Sequence, residues 1–160
     1  MSIAVGSKIP DVTVHVLKDG TPTPVQTADI LGTGKVVLFA VPGAFTPGCS
    51  KIHLPGYVQR GGELRAKGVD AIACVSVNDA WVMDAWAQSQ GVGDGIVMLA
   101  DGNGDFTRAM DLVRDGSGVG LGIRSSRYAA VIENGVITEL EVEPGPGVDV
   151  SSCENLLSKV

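Results

Sequence analysis

The chain has 160 residues, a formal net charge of −6 and a hydrophobic content of 44%. A chain of this length suits one domain, residues 1–160, because it buries about two-thirds of its unfolded surface in a single core. The negative charge argues against a nucleic acid or an anionic membrane surface as a partner. The 22 glycines, roughly twice the average share, predict many turns and loops.

The N-terminal segment MSIAVGSKIPDV carries neither a secretory signal nor the Arg- and Ser-rich pattern of an organelle presequence. No apolar run approaches the length of about 18 residues that a membrane-spanning helix needs. We therefore expect a soluble, cytoplasmic protein. An organelle is the alternative if a transit peptide has been removed.

The first elements are predicted from the alternation of apolar residues and from breakers. Residues 11–17 alternate apolar and polar side chains, which predicts a half-buried strand. Residues 21–24 contain two prolines and predict an irregular connection. Thr27 is then expected to cap one helical turn through Leu31, which ends at Gly32.

The central strand is predicted from a continuous apolar run, Val36 to Val41, which is typical of a strand buried on both faces. Pro42-Gly43 ends this strand and turns the chain. Thr46 then offers a helix cap, and Pro47 suits the first helical position. This order places the thiol of Cys49 in the first turn of the next helix.

Cys49 is a candidate reactive thiol because of this position. The positive end of the helix dipole and the free backbone N–H groups there both favour a thiolate. The Thr46 hydroxyl can donate to the sulfur or to an oxygen beside it, and Pro42 can shield the sulfur from bulk water. The alternative is that Cys49 is a small buried hydrophobic residue, which is the usual role of a free cysteine.

The rest of the chain predicts an α/β arrangement. The helix after Cys49 is expected to be interrupted at Pro55-Gly56 and to end near Lys67. The further predicted elements are a strand at 69–77, a helix capped by Asn78 or Asp79 and ending at Gly91, a strand at 96–100, a short helix at 106–113, a glycine-rich loop at 115–122, a hairpin at 128–142 with a type I′ turn at Asn134-Gly135, and a last helix capped by Ser151 or Ser152. This order implies a mixed sheet with helices on both faces.

Pro42, Thr46 and Cys49 form the spacing P-x-x-x-T-x-x-C, which resembles the active-site signature of the peroxiredoxins. The ten-residue string VPGAFTPGCS resembles the type II, or peroxiredoxin-five-like, subfamily. The resemblance covers essentially the whole chain and implies a thioredoxin-like α/β fold with a mixed central β-sheet flanked by helices. It also implies a homodimer and a thiol peroxidase that reduces hydrogen peroxide and alkyl hydroperoxides through Cys49 with no cofactor and no metal.

The resemblance also selects an arginine. Orienting a peroxide and stabilising its leaving oxygen require a fixed cation with several donors. The relevant arginine of the family immediately precedes an aromatic residue at the start of a strand. Arg127, followed by Tyr128, fits that pattern, whereas Arg124 is followed by Ser125.

The other two thiols bear on how the enzyme is recycled. Cys74 lies in a predicted buried strand, where an apolar setting raises a thiol pKa, so it is expected to be inert. Cys153 lies in the terminal region that carries the resolving cysteine of animal members, although it falls inside the first turn of the last helix rather than in the loop ahead. We therefore expect recycling by glutathione or glutaredoxin. The alternatives are a Cys49–Cys153 disulfide reduced by thioredoxin and a non-enzymatic peroxide sensor.

The remaining candidates are expected to be structural. His53 is four residues after Cys49, and an imidazolium there could favour the thiolate or bind a metal. A single histidine is too few ligands for a metal site, so a hydrogen-bonded structural histidine is expected. Trp81, Met83 and Trp86 are expected to pack in the core, and the resemblance allows Trp86 to border the active-site or dimer region.

Overall fold

A computed structural model describes residues 3–160, so the first two residues of the N-terminal segment lie outside the described part. The strands are β1 Thr13–Lys18, β2 Thr21–Gln26, β3 Lys35–Ala40, β4 Ala71–Ser76, β5 Val97–Ala100, β6 Val113–Asp115, β7 Ile123–Ser125, β8 Tyr128–Glu133 and β9 Val136–Val142. The helices are α1 Thr27–Leu31, α2 Leu54–Ala66, α3 Ala80–Ser89, α4 Asp105–Ala109 and α5 Cys153–Leu157. A π-helical turn, Cys49–His53, precedes α2, and a 3₁₀ turn, Ser117–Val119, lies between β6 and β7.

Seven strands form one mixed sheet in the order β2-β1-β5-β4-β3-β8-β9. Strand β3 pairs in parallel with β4 and antiparallel with β8, and β4 pairs in parallel with β5. Strands β6 and β7 form a separate antiparallel ribbon. The mixed sheet that the order of elements predicted is therefore confirmed.

Helices cover both faces of the sheet, as predicted. Val37 and Phe39 of β3 belong to the core cluster that contains the buried side chains of α2, α3 and α5. Val36 and Leu38 belong to the opposite cluster, with residues of α1 and α4. Because both faces of β3 are covered, its sequence is continuously apolar rather than alternating.

The helix after Cys49 is not interrupted, so the predicted break at Pro55-Gly56 was wrong. The π-helical turn runs directly into α2, and the Leu54 N–H donates to the Cys49 carbonyl across the wide turn. Pro55 lacks an N–H, and its ring collides with the carbonyl four residues earlier in a regular α-helix. A wider turn immediately ahead of the proline relieves that collision.

Two other predicted segments differ in the structure. Residues 21–24 form most of β2 rather than an irregular connection. Because Pro22 and Pro24 are two residues apart, their missing N–H groups lie on one side of the strand, and β2 is at an edge of the sheet, where this is tolerated. The predicted helix at 106–113 ends early, since α4 stops at Ala109 and Val113 begins β6.

Some capping predictions hold and one does not. Asp79 accepts from the Val82 N–H and caps α3, and Ser152 accepts from the Asn155 N–H and caps α5. Thr27 lies inside α1 and caps nothing; its hydroxyl bonds to segment 10–12 instead.

The hairpin turn is of the predicted type, because Asn134 and Gly135 both have positive φ, 49° and 82°. Met83 and Trp86 are buried as expected, but Trp81 is 59% exposed, so its predicted core position was wrong. No helix within residues 3–160 is long and apolar enough to cross a membrane.

Candidate active site

Cys49 lies where the chain leaves β3 and enters the π-helical turn. The helical segment begins at Pro47, and Cys49 is 0% exposed. The connecting loop contains Phe45, whose φ of 66° is unusual for a bulky residue and indicates local strain. The Ala44 N–H donates to Asn78 Oδ1 over 3.0 Å, which ties this loop to the chain that follows β4.

Two donors approach the Cys49 sulfur. The Thr46 hydroxyl oxygen is 2.9 Å from Sγ, and Nη2 of Arg127 is 3.3 Å from it. The Thr46 hydroxyl is also 2.7 Å from the Gly43 carbonyl oxygen, so its single proton is available to either acceptor. Among the described residues, the Thr46 hydroxyl accepts no hydrogen bond from a helical N–H group, so the capping role expected for Thr46 was wrong. A guanidinium and a hydroxyl together stabilise negative charge on the sulfur.

Arg127 is held from its other side by His53. The arginine immediately precedes β8, and its Nη1 lies 2.9 Å from His53 Nδ1. Since a guanidinium can only donate, Nδ1 must accept, and the imidazole proton is on Nε2. That Nε2 donates to the Ser151 carbonyl over 3.0 Å. The two partners therefore select one neutral tautomer of His53.

The charge state of His53 agrees with this tautomer. Burial, reinforced by the positive charge of Arg127, lowers the pKa of His53 from 6.5 to about 3. The ring is neutral at pH 7 and supplies no imidazolium to Cys49. It is a hydrogen-bonded structural histidine, as expected, and it also orients the arginine beside the thiol, which the sequence analysis did not predict.

The network continues into the chain between β9 and α5. The Ser151 carbonyl also accepts from the Tyr57 hydroxyl over 2.8 Å. The Glu143 carboxylate accepts from the Ser151 hydroxyl at 2.6 Å, the Ser151 N–H at 2.9 Å and the Asp149 N–H at 2.7 Å. Burial acts to raise the pKa of Glu143, but these hydrogen bonds outweigh it and lower the pKa. The C-terminal segment is thus bonded to the group that orients Arg127.

Arg124 reaches the same region but not the sulfur. Its Nε donates to the Leu121 carbonyl at 2.9 Å, and its Nη1 lies 3.4 Å from the Pro42 carbonyl. A cavity of about 360 Å³ opens beside these groups, and Pro42, Thr46 and Arg127 all line it. The structure therefore brings together the four residues that the sequence analysis selected, and it adds Arg124 at the rim.

The other thiols lie in the core. All three cysteines are unpaired and buried. Burial raises the pKa of the Cys74 thiol well above its usual value, and raises that of Cys153 to about 11. Cys153 is the first residue of α5, inside its first turn as predicted. Both thiols are therefore predominantly protonated near neutral pH.

Two further features complete the surroundings. Trp86 is buried beneath the π-helical turn, and its Nε1 donates to the Ser50 hydroxyl over 2.9 Å. Within residues 3–160, no three His, Cys, Asp or Glu side chains are arranged to hold a metal ion.

Comparisons with known proteins agree with the residue pattern. Residues 4–157 match the Redoxin family model. Peroxiredoxin-2E-2, chloroplastic, of Oryza sativa subsp. japonica is 51% identical over 161 residues, which cover 98% of this chain and 72% of the relative. Reduced Prx3 of Vibrio vulnificus, solved in complex with H₂O₂, is 48% identical, with a TM-score of 0.93 and 98% coverage of both chains. Peroxiredoxin 5 of Alvinella pompejana is 35% identical, with a TM-score of 0.85 and coverage of 98% and 96%.

These similarities confirm the predicted thioredoxin-like fold, because the solved peroxiredoxins superpose over almost the entire chain. They also confirm the resemblance that was carried by segment 41–50. The chain therefore belongs to the redoxin family and, within it, to the type II peroxiredoxins, which are thiol peroxidases.

Proposed function

We propose that Cys49 is the peroxidatic cysteine of an enzyme that reduces hydrogen peroxide and alkyl hydroperoxides. The observation that carries this proposal is the pair of donors on one sulfur, Thr46 at 2.9 Å and Arg127 at 3.3 Å. A thiolate needs such donors to remain charged, and a peroxide needs them to stabilise the oxygen that leaves. Pro42 completes the set by closing the cavity wall beside them.

The proposed reaction is a two-electron displacement. The Cys49 thiolate attacks the distal peroxide oxygen, so that an S–O bond forms as the O–O bond breaks. Sulfur is oxidised to sulfenic acid, and the departing hydroxide or alkoxide takes up a proton to give water or an alcohol. The guanidinium of Arg127 stabilises the charge that develops on the leaving oxygen.

The direct test replaces the nucleophile. Cys49→Ser should abolish peroxide consumption, because Cys74 and Cys153 are buried and their pKa values are raised. Wild-type consumption by this variant would disprove the assignment. A peroxide sensor is the alternative class, and rapid mixing separates the two. Oxidation of Cys49 no faster than that of free cysteine would favour the sensor.

For recycling, we propose an external thiol, either glutathione or glutaredoxin. Its thiolate attacks the sulfenic sulfur, so that an S–S bond forms as the S–O bond breaks, and the departing hydroxide takes up a proton to give water. A second thiol then reduces the mixed disulfide and frees Cys49. This route is supported by Cys153, which lies within a helical turn with its pKa raised to about 11 and is thus a poor attacking thiol.

Intact mass distinguishes this route from a Cys49–Cys153 disulfide reduced by thioredoxin. After stoichiometric peroxide without added thiol, the external route predicts one added oxygen. The disulfide predicts the loss of two hydrogens. A rapid, quantitative loss of two hydrogens that disappears in Cys153→Ser would overturn our proposal.

We also propose a homodimer, with the active-site ends meeting across a two-fold axis. This is supported by two large apolar side chains near that end, Phe45 at 55% and Trp81 at 59% exposure. The bond from Ala44 to Asn78 links the loop that carries Phe45 to the chain just before α3, which carries Trp81. Sedimentation should show a dimer throughout the micromolar range. A monomer there would contradict the proposal.

For the compartment, the two candidates are the cytoplasm and an organelle. The name of the rice relative places that protein in the chloroplast. Imaging of the native gene product fused at its C-terminus to a fluorescent protein would decide between the cytoplasm and an organelle.

A further inference from the structure

Two arginines lie opposite each other at the rim of the active-site cavity. Arg114 of β6 and Arg124 of β7 are register partners in the antiparallel ribbon, and both line the cavity. Directly opposed residues of an antiparallel pair project from the same face, and like charges in that position destabilise the pair. The ribbon therefore carries a cost that a bound anion would remove.

Within the part of the chain that the structure describes, neither arginine forms an ion pair with a carboxylate. The ion pairs within residues 3–160 are Arg60–Glu63, Arg108–Asp105 and Lys159–Glu141. The hydrogen bonds of the Arg124 side chain go to two uncharged carbonyls, those of Leu121 and Pro42.

The charge balance of the cavity differs from that of the whole chain. Asp115 also lines the cavity, but its carboxylate accepts from the Ser117 N–H over 2.9 Å and makes no ion pair within the described residues. The lining contains three guanidinium groups and this single carboxylate, in a protein whose net charge is −6. Of the three, Arg127 is engaged with Cys49, which leaves Arg114 and Arg124 for a ligand.

The cavity is also larger than hydrogen peroxide requires. Its volume is about 360 Å³, whereas a water molecule occupies about 30 Å³ of liquid and a peroxide has only two oxygens. The lining also includes four apolar side chains, Pro47, Val119, Leu121 and Pro146. This space suits a molecule with an apolar body and an anionic end.

We propose that Arg114 and Arg124 form a carboxylate-binding subsite, which positions an organic molecule whose other end reacts at Cys49. Guanidinium groups match a carboxylate in geometry and can donate two parallel hydrogen bonds to it. Two reactants carry this chemistry: a hydroperoxide of a fatty acid, which oxidises Cys49, and glutathione, which reduces its sulfenic acid. The proposal rests on the proposed role of Cys49 and adds no chemical step to it.

The experiment compares each acid with its ester in two arms. In the oxidative arm, rapid mixing measures thiol loss with a short-chain hydroperoxy fatty acid and with its methyl ester. In the reductive arm, the sulfenic form is reduced with glutathione and with glutathione dimethyl ester. If the subsite binds the reactant of one arm, the acid should react about tenfold faster than its ester at low salt. This ratio of rates should fall as salt is added.

The variants assign that preference to the subsite. Arg114→Gln should reduce the acid-to-ester ratio of rates towards one, and Arg114→Glu should make the ester react faster than the acid. The Arg114 side chain makes no hydrogen bond or ion pair within the described residues, so neither change breaks a polar contact of the fold. Arg108→Gln removes the same charge from an exposed pair on α4, outside the cavity, and should keep the wild-type preference.

Each outcome has a defined meaning. A preference in the oxidative arm alone identifies the hydroperoxide as the ligand, one in the reductive arm alone identifies glutathione, and one in both shows that the two share the subsite. No preference in either arm, or a preference that Arg114→Gln leaves intact, overturns the proposal. Oxidation of Cys49 by hydrogen peroxide, measured in the same way, distinguishes failure of the subsite from failure of the proposed peroxidase function. Slow oxidation by hydrogen peroxide would count against the peroxidase function.

Discussion

A neutral histidine fixes the cation at the thiol: Nη1 of Arg127 donates to Nδ1 of His53 over 2.9 Å, while Nη2 of the same group lies 3.3 Å from the Cys49 sulfur. A guanidinium is planar and rigid, so fixing one of its nitrogens sets the direction of the other. The orientation of the donor beside the sulfur is thus determined by the packing of His53, not by the flexible arginine side chain.

Arg127→Lys and Thr46→Val should each slow oxidation of Cys49 by hydrogen peroxide by about 10²- to 10³-fold, because each removes one positioned donor. A lysine ammonium cannot bond His53 and face the sulfur in the same plane. Stopped-flow fluorescence gives the rate, and circular dichroism verifies the fold. Unaltered kinetics in Arg127→Lys would make Arg124 the orienting arginine.

Gly48→Ala should lower the rate of Cys49 oxidation without destabilising the fold. Gly48 has ordinary helical angles, φ −64° and ψ −38°, so alanine causes no backbone strain. Its added Cβ would lie 3.1 Å from Nη2 of Arg127, so the guanidinium beside Cys49 has to shift by a few tenths of an ångström. We expect the oxidation rate to fall about tenfold, since small misplacements of a catalytic group are costly.

The matched control for Gly48→Ala is Gly62→Ala in α2, where the added Cβ meets nothing within 4 Å. It should stabilise the protein by about 0.5 to 1 kcal/mol and leave the rate unchanged. Urea unfolding and stopped-flow mixing check both variants. A wild-type rate in Gly48→Ala would show that the position of Nη2 is not critical.

Stability should decrease as the pH falls below about 6.5. The pKa of His53 is lowered to about 3 in the folded protein, so between these values the unfolded chain binds a proton that the folded chain does not. The contribution of neutral His53 is fully present above pH 6.5 and is lost progressively on acidification. One such group lowers the free energy of unfolding by about 1.4 kcal/mol per pH unit, which amounts to about 2 kcal/mol at pH 5.

Urea unfolding of the reduced protein between pH 7 and pH 5 measures this loss. In that window Glu143, whose pKa is lowered in the folded state, is ionised both folded and unfolded and adds little slope. In His53→Gln, the slope of the free energy of unfolding against pH should decrease by the contribution of one proton. An equal slope in the variant would assign the effect to other groups.

Asp101→Ala should be strongly destabilising. The carboxylate is buried and accepts from the Phe106 N–H at 3.0 Å and from the N–H and hydroxyl of Thr107, each at 2.8 Å. Removing it leaves these donors unpaired at the start of α4, at a cost of about 2 to 4 kcal/mol by urea unfolding. Asp105→Ala, which removes only an exposed ion pair from the same helix, should cost less than about 1 kcal/mol.

The features that could be predicted from the sequence are those with a local cause. The apolar run of β3, the Asn134-Gly135 turn and the position of Cys49 after Thr46-Pro47 each depend on neighbouring residues. Strands β6 and β7 have three residues each, too few for any periodicity to show, and their pairing is set by the surrounding fold.

The network behind Arg127 was not predictable for a different reason. His53 and Ser151 are 98 positions apart, and a backbone carbonyl is the acceptor, so no residue type marks the contact. Glu143 at the end of the hairpin resembles any solvated acid until Ser151 is placed beside it. A histidine four residues after the candidate nucleophile was the one available signal, and it predicted a hydrogen-bonded structural residue without identifying its partners.

The complete enclosure of the Cys49 sulfur has a kinetic consequence. Only a reagent small enough to enter beside Thr46 and Arg127 can reach it in the closed protein. If the reductant is a protein, as in the glutaredoxin route proposed above, it is too large to enter there, and its access to Cys49 would require the π-helical turn to unwind. The rate of oxidation then depends on the donors beside the sulfur, whereas the rate of recycling by a protein reductant depends on how often the turn opens. Mutations that loosen the turn should quicken the second half of the cycle while weakening the first.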